Sequence, residues 1–581
     1  MNEWLARLPR GHYLAILALV AIIGLLPQFL SRTLPDISFL LYAAGRVLDG
    51  ATLYVDLIEI NPPLIVWLNI PIVALARAVG ADEITLYRLI VTLLLTASVA
   101  VCASILRSIE TRSNSAVPSR RLSVLLLTFA LFVLPRLDWG EREHLMLALV
   151  LPYVLLAWAR VVASPSRLGL SAQRAILIGC AAGIGIAIKP QFALVWLVRE
   201  GVVLWKNRRS TPEGITVPVI GILYLGAVLL LTPEYFGVLR TFGPAYQTFM
   251  QNPLLVTALL GDGAAVALAA LLIAFALRGS TSPRSLTIVL AGATAACYLA
   301  AVLQQKGWRY HFYPALAFGW ILLLATWIMV RSRRRIDRLF ASIAGAAALT
   351  MAISAVAGAV MQSTDPLNGR YDADPHAARL IPLLRELAQG QPIMILSPNM
   401  ASGFPLATYA GVKWEQRYTN LWPLVAAYDS AIEADSPIEY RSAGTMANVE
   451  RIAVNHLAED LRRTRPAVII ASRAAGDEPR WDSWRLDPLK LLNRSELFRS
   501  EFSGYEPAGS LGLYDLYVRA DRGLIRSKIA PKVLISAAPD EAAPAELRIR
   551  RGAIPLTLVF LGLLALIWRF QVMGHRVGAV A

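Results

Sequence analysis

The chain has 581 residues, of which 56% are apolar and only 17% charged, with a formal net charge of +16 and a mean hydropathy of +0.53. A soluble chain carries about a quarter charged residues, so this composition excludes a soluble enzyme, a disordered protein and a nucleic-acid-binding domain, despite a pI near 9.9. Residues 362–552 hold 24 basic and 24 acidic residues, which leaves the whole excess, 32 basic against 16 acidic, in the remainder of the chain.

In chain order, apolar runs of bilayer length or near it cover residues 13–30, 64–79, 84–106, 122–134, 145–163, 175–188, 192–205, 215–231, 254–277, 286–303, 312–330, 339–360 and 554–568. The first follows basic residues without a small-residue cleavage site and is expected to be a retained span. The run 64–79 is short, opens on Pro62-Pro63, contains Pro71 and carries Arg77, and is expected to be a juxtamembrane or re-entrant helix. With that run not crossing, the connections on one side of the bilayer collect 21 of the 32 basic residues and only four acids. By the positive-inside rule this predicts a polytopic α-helical protein with twelve spans and both termini cytoplasmic. A rival topology, with the N-terminus outside and 64–79 a true span, would move the acidic loop 31–61 away from the other polar clusters.

The expected domains are a membrane part over 1–361, an extracytoplasmic α/β domain over 362–552, and a last span with a cytoplasmic tail over 553–581. Within the α/β domain, 375–389 and 445–465 are expected to be helical, 392–396, 467–471 and 513–519 to be strands, and the Ala/Pro-rich 536–544 a linker. Cys102, Cys180 and Cys297 lie in apolar runs as small hydrophobes, and no Cys/His cluster has zinc spacing.

On this topology the polar residues near the membrane gather on the outer face. The first loop supplies Asp36, Asp49, Asp56 and Glu59. The second, PRLDWGEREH over 135–144, supplies Asp138, Glu141, Glu143 and His144. The third is Lys189-Pro190-Gln191, the fourth holds Tyr235, Arg240 and Tyr246, and the fifth, QQKGWRYHFYP, supplies Lys306, Arg309 and His311. Cations at headgroup depth can hold a lipid phosphate, and a carboxylate beside them can take a proton from a hydroxyl or amine; ordinary interfacial loop residues are the plainer reading. Arg199 and Glu200 stand inside an apolar run, where partners on other helices or closeness to a helix end are expected. Asp262, between Gly261 and Gly263, either lines a cavity or ends its span. Trp414, Arg417 and Trp422 are expected to be local packing rather than a sugar platform.

The stretch PDISFLLYAAGRVLDGATLYVDLIEINPPLIVWL, residues 35–68, resembles the N-terminal layout of GT-C-fold glycosyltransferases, with the lipid A aminoarabinose transferases and protein O-mannosyltransferases as the nearest families. Asp36, Gly50, Tyr54 and Pro62-Pro63-Leu64 carry the resemblance, and GCAAGIGIAIKP, 179–190, is similar to the Gly-rich span ending in Lys of the aminoarabinose group. The spacing from Gly50 to Tyr54 is one residue longer than in those families, Ile37 stands where an acid is common, and Asn61 where a cation precedes Pro-Pro. The resemblance implies a GT-C-like fold. It also implies an inverting transferase on the periplasmic face of a bacterial inner membrane, taking sugar from a polyprenyl-phosphate donor to a glycan, lipid or protein acceptor of the cell envelope. By it, Asp36 would be the general base, with Asp138, Glu141 or Glu143 as the second-loop acid. Lys189 would meet the donor phosphate, with Tyr54 and Glu59 also on the donor; because Asn61 replaces the cation before Pro-Pro, this chain must bind phosphate elsewhere, and Lys306, Arg309 and His311 of the fifth loop are the candidates. No cofactor is firmly implied, although the acids could hold a divalent cation. A transporter or flippase of lipid-linked sugars is the alternative.

Overall fold

The computed structural model describes residues 5, 8–110, 119–162, 169–281, 284–330, 332–364, 377–430, 438–473, 486–512 and 514–521. The expected last span 554–568 and linker 536–544 lie outside them. Helices α1 (Arg10–Leu30), α2 (Pro35–Leu48), α3 (Leu64–Val79), α4 (Glu83–Glu110), α5 (Arg120–Phe132), α6 (Arg142–Val162), α7 (Ala172–Ile188), α8 (Ala193–Asn207) and α9 (Pro212–Leu231) come first. They are followed by α10 (Glu234–Thr248), α11 (Leu254–Leu260), α12 (Ala264–Ala276), α13 (Arg284–Leu303), α14 (Arg309–Met329) and α15 (Arg335–Thr364).

Seven of these (α1, α4, α6, α9, α13, α14 and α15) are long and apolar enough to cross a membrane, so the chain is a multi-pass membrane protein. The expected span 254–277 is instead the pair α11 and α12, bent by 73°. The break falls at Gly261-Asp262-Gly263, where Gly263 takes a φ of +98° and a Cβ on Gly261 would collide with the Phe312 ring. Expected spans 122–134, 175–188 and 192–205 are the shorter helices α5, α7 and α8, and 64–79 is the 16-residue α3, whose Pro71 is carried inside the helix.

Helices α6 and α14 are the centre of the bundle, with 78% of each apolar window buried, against 17% for the peripheral α9. Lipid is as apolar as a leucine side chain, so such helices associate through close packing. The glycines of α7 supply it: a Cβ on Gly179 would meet the Glu213 carbonyl at 2.6 Å, one on Gly183 the Ile220 side chain at 2.8 Å, and one on Gly185 Leu149 at 2.9 Å. That stripe lets α7 lie between α6 and α9, and brings its C-terminal Lys189 to the first turn of α6.

The remaining elements are α16 (Ala377–Ala388), β1 (Pro392–Leu396), α17 (Leu406–Ala410), β2 (Lys413–Trp414), α18 (Trp422–Ala427), α19 (Asn448–Thr464), β3 (Val468–Ser472), α20 (Pro488–Leu492), α21 (Glu496–Phe502), β4 (Tyr505–Leu511) and β5 (Tyr514–Arg519). They form a mixed five-stranded sheet in the order β2-β1-β3-β5-β4 with helices packed around it. β1 pairs in parallel with β2 and β3, while β5 is antiparallel to both β3 and β4. The apolar runs PIMIL and VIIAS read as central strands because they are buried nearly throughout. Strand β4 was not expected from the sequence; Pro507 and Gly509 break its pattern, and both sit at a register shift on the sheet edge.

This α/β unit is seated on one end of the bundle. Tyr42 and Arg46 of α2 donate to the Trp414 carbonyl at 3.0 and 2.6 Å, Ser38 meets Thr408 at 2.8 Å, and the Ile58 N–H donates to the Arg417 carbonyl at 2.8 Å. Helix α10 is wedged between the two parts, with Phe242 and Tyr246 against Trp422. Trp414 and Trp422 are buried and Arg417 pairs with Glu459 and Asp460, so all three are packing residues, as expected.

Candidate active site

The loop from α5 to α6 is shaped by its own sequence. Pro135 opens a single 3-10 turn, Arg136–Asp138, and Gly140 reverses the chain at a φ of +82°. The Gly140 N–H donates to His144 Nδ1 at 2.8 Å, and the opposite ring nitrogen of His144 lies 2.9 Å from the Leu131 carbonyl, so His144 is fully occupied in holding the loop. Tyr87 of α4 donates to the Gly140 carbonyl at 2.5 Å. A Cβ on Gly140 would press on Ile37 and Tyr87, each at 3.2 Å, in a backbone region hostile to other residues. Gly140→Ala is therefore expected to cost about 1–3 kcal/mol, read as a lower thermal unfolding midpoint in detergent.

This loop delivers Glu141, Arg142 and Glu143 to the end of the bundle where α2 begins, α7 ends and α14 begins. Arg142 lies 3.6 Å from Asp36, Lys189 forms an ion pair with Glu143, and His311 Nε2 lies 3.6 Å from the same Glu143 oxygen. The Lys189 ammonium is 5.2 Å from the centre of the Tyr310 ring, which in turn packs on His311 at 4.4 Å. One rung away, Arg309 Nε is 3.0 Å from Asp138, whose charge also feels Asp262 at the break between α11 and α12. Five sequence-expected residues (Asp36, Glu141, Glu143, Lys189 and His311) thus meet at one end of the bundle, with Asp138 and Arg309 beside them.

Glu141, Glu143, Lys189 and His311 are all buried, whereas the Asp36 side chain is 29% exposed. Burial, and next the Asp36 charge, pushes the Glu141 carboxyl well above the usual carboxylate range, and burial pushes Asp138 up to about 6. Burial also lowers the Lys189 ammonium from its ordinary value, against the pull of Glu143. Polar atoms here are under-used: Glu141 Oε2, Arg142 Nε, Glu143 Oε2 and His311 Nδ1 are buried with no hydrogen-bond partner. Because buried polar groups are nearly always paired, this concentration makes the cluster the candidate site. Among the described residues no three His, Cys, Asp or Glu side chains gather as a group that could hold a metal ion.

Three expected donor-binding residues have other work. The Lys306 ammonium donates to the carbonyls of Tyr246 (2.8 Å), Gln247 (3.1 Å) and Phe249, which uses all three of its protons to close the end of α10. Burial holds its pKa down at about 8. Lys306 thus clamps α10 to the loop before α14. Tyr54 donates to the Asn61 carbonyl at 2.8 Å, and Glu59 accepts from the Asn61 backbone and side chain at 2.8 and 2.5 Å, so both shape the first loop.

Arg142 is the residue that the sequence reading passed over. Its side chain is 6% exposed and donates no hydrogen bond among the described residues. A signal was present: a cation in the first turn of a helix opposes the helix dipole, and a sequence tolerates that where the charge has another use.

No protein-family model matches the chain, and no curated protein does. Among solved structures it is similar to the arabinofuranosyltransferase AftD from Mycobacteria, at 16% identity and a TM-score of 0.40, over 88% of this chain and 40% of that one. A mutant of the same protein matches at the same identity and score over 42% of its length. The chain spans about two fifths of the length of the structures it matches.

Proposed function

We propose that the chain is a membrane glycosyltransferase that moves a sugar from a polyprenyl-phosphate donor to a hydroxyl or amine of a cell-envelope acceptor, on the periplasmic face of a bacterial inner membrane. The observation that carries this reading is one partly exposed carboxylate, Asp36, set among buried cations at a single end of an apolar bundle. A lipid phosphate stays at that depth while its tail remains in the bilayer, and the cations neutralise it without crossing the hydrocarbon.

Asp36 takes the proton of the acceptor as its oxygen or nitrogen attacks the anomeric carbon. The bond from that carbon to the phosphate oxygen breaks, and the polyprenyl phosphate leaves against the cationic face where Lys189, Arg309 and His311 stand. A single displacement of this kind inverts the anomeric carbon. Acceptor binding is assigned to the α/β unit, because it docks on the same end of the bundle as Asp36.

General-base assistance contributes about 10²- to 10⁴-fold. Asp36→Asn is expected to lower turnover of a labelled polyprenyl-phosphate sugar by that factor in the purified full chain, with the thermal midpoint little changed. Normal turnover by this variant would remove Asp36 from the reaction. The bent pair α11–α12 favours a second reading, because broken helices near a polar site are a transporter feature. Transfer of label to an acceptor, as against movement of an intact lipid across vesicles, separates the two.

A further inference from the structure

Arg142 is a buried guanidinium with five donors and no hydrogen bond among the described residues. Its partner Asp36, at 3.6 Å, lies beyond hydrogen-bond reach, so the contact is an ion pair without a bond. The other cations of the cluster are better held: Lys189 is locked to the fully buried Glu143, and Arg309 sits 3.0 Å from Asp138 and donates to the Pro135 carbonyl at 3.1 Å. The Arg142 Nε is the sealed end of the fork, and the Asp36 side of the pair is the side that solvent reaches. A planar fork of this kind is matched to a phosphate, which it can hold through two parallel hydrogen bonds.

We propose that Arg142 is exchanged between two anions. In the ligand-free chain it is the counter-ion of Asp36. A phosphomonoester arriving at the open side takes the guanidinium in two hydrogen bonds, and Asp36 is freed of its counter-ion, and so open to the acceptor, only when the donor is in place. Arg142 is then the residue that orders the reaction, with the donor bound before the acceptor is deprotonated. This deepens the glycosyltransferase reading and rests on it for the identity of the anion.

The test is binding of farnesyl phosphate to the purified full-length protein in nanodiscs, compared with inorganic phosphate and with farnesol, in the wild type, Asp36→Asn, Arg142→Gln and the double variant. Because Asp36 competes for the fork, Asp36→Asn is expected to bind farnesyl phosphate roughly five- to tenfold more tightly. Arg142→Gln is expected to bind at least about tenfold more weakly, and Asp36→Asn to add no gain in its background. An equal gain from Asp36→Asn in both backgrounds would mean simple repulsion between anions and would overturn the exchange, as would no gain in either. Should Arg142→Gln not fold, Arg142→Lys keeps the charge without the fork and is expected to lose most of the Asp36→Asn gain; a full gain there also overturns the proposal. No binding of farnesyl phosphate by the wild type, or binding no tighter than that of farnesol, removes both the exchange and the donor class. The same coupling with inorganic phosphate alone keeps the exchange and removes the lipid donor.

Discussion

Replacing Lys189 by Met is expected to cost about 3–5 kcal/mol, because it leaves Glu143, which is fully buried, without its counter-charge. His311 Nε2 lies 3.6 Å from the same Glu143 oxygen, and the Arg142 charge also acts on Glu143. The single variant should therefore show both a lower thermal midpoint and a loss of sugar transfer, which alone would say little about mechanism. The paired variant Lys189→Met/Glu143→Gln separates the two effects. Removing both charges of a buried pair is nearly neutral or stabilising, so the midpoint should return close to that of the wild type. If Lys189 also faces the leaving phosphate, transfer stays low in the paired variant. A paired variant that is stable and turns over normally would reduce Lys189 to a structural counter-ion.

The same pair shows what the sequence could and could not disclose. That Lys189 and the 141–143 acids share an end of the bundle follows from the expected sidedness, since apolar run length and basic-residue placement assign loops to one face or the other of the membrane. Which acid pairs with which cation depends on helix rotation and depth, and no periodicity records those. The Gly-rich run of α7 was visible, but its meaning, backbone contact with α6 and α9, needs the neighbours. Arg142 was hidden among carboxylates in GEREH, and Lys306 looked available because its partners are main-chain carbonyls, which no sequence pattern displays. The break at Asp262 reads as one continuous apolar run, since two glycines and one acid do not lower its hydropathy enough to divide it. In the α/β unit, β1 was legible at residues 392–396 because a short apolar run between polar turns has few other uses.

At the other end of α6 lies a second charge cluster, and its predicted behaviour is the opposite. Glu213, fully buried at the start of α9, accepts from Arg160 Nε and Nη2, both at 3.0 Å, and from Arg199 at 2.7 Å. Arg199 also pairs with Glu200, donates to Thr211 at 2.9 Å and lies 4.4 Å from the centre of the Tyr153 ring, whose hydroxyl donates to Glu200 at 2.8 Å. Two guanidiniums and two carboxylates thus cancel inside a bundle, stapling α6, α8 and α9 together, which accounts for the isolated Arg199-Glu200 pair in an apolar run. Glu213→Ala leaves Arg160 and Arg199 sharing one remaining acid in an apolar surrounding, and the expected loss is about 3–5 kcal/mol. Eighteen residues separate Arg160 from Arg142 on α6, about 27 Å of helix, so the reacting end should not sense the change. Sugar transfer per folded molecule is expected to stay near the wild-type value while the unfolding midpoint falls. Equal losses of midpoint and of transfer per folded molecule would mean that the two ends of α6 are coupled, and that the staple sets the position of Arg142 as well as the packing of the bundle.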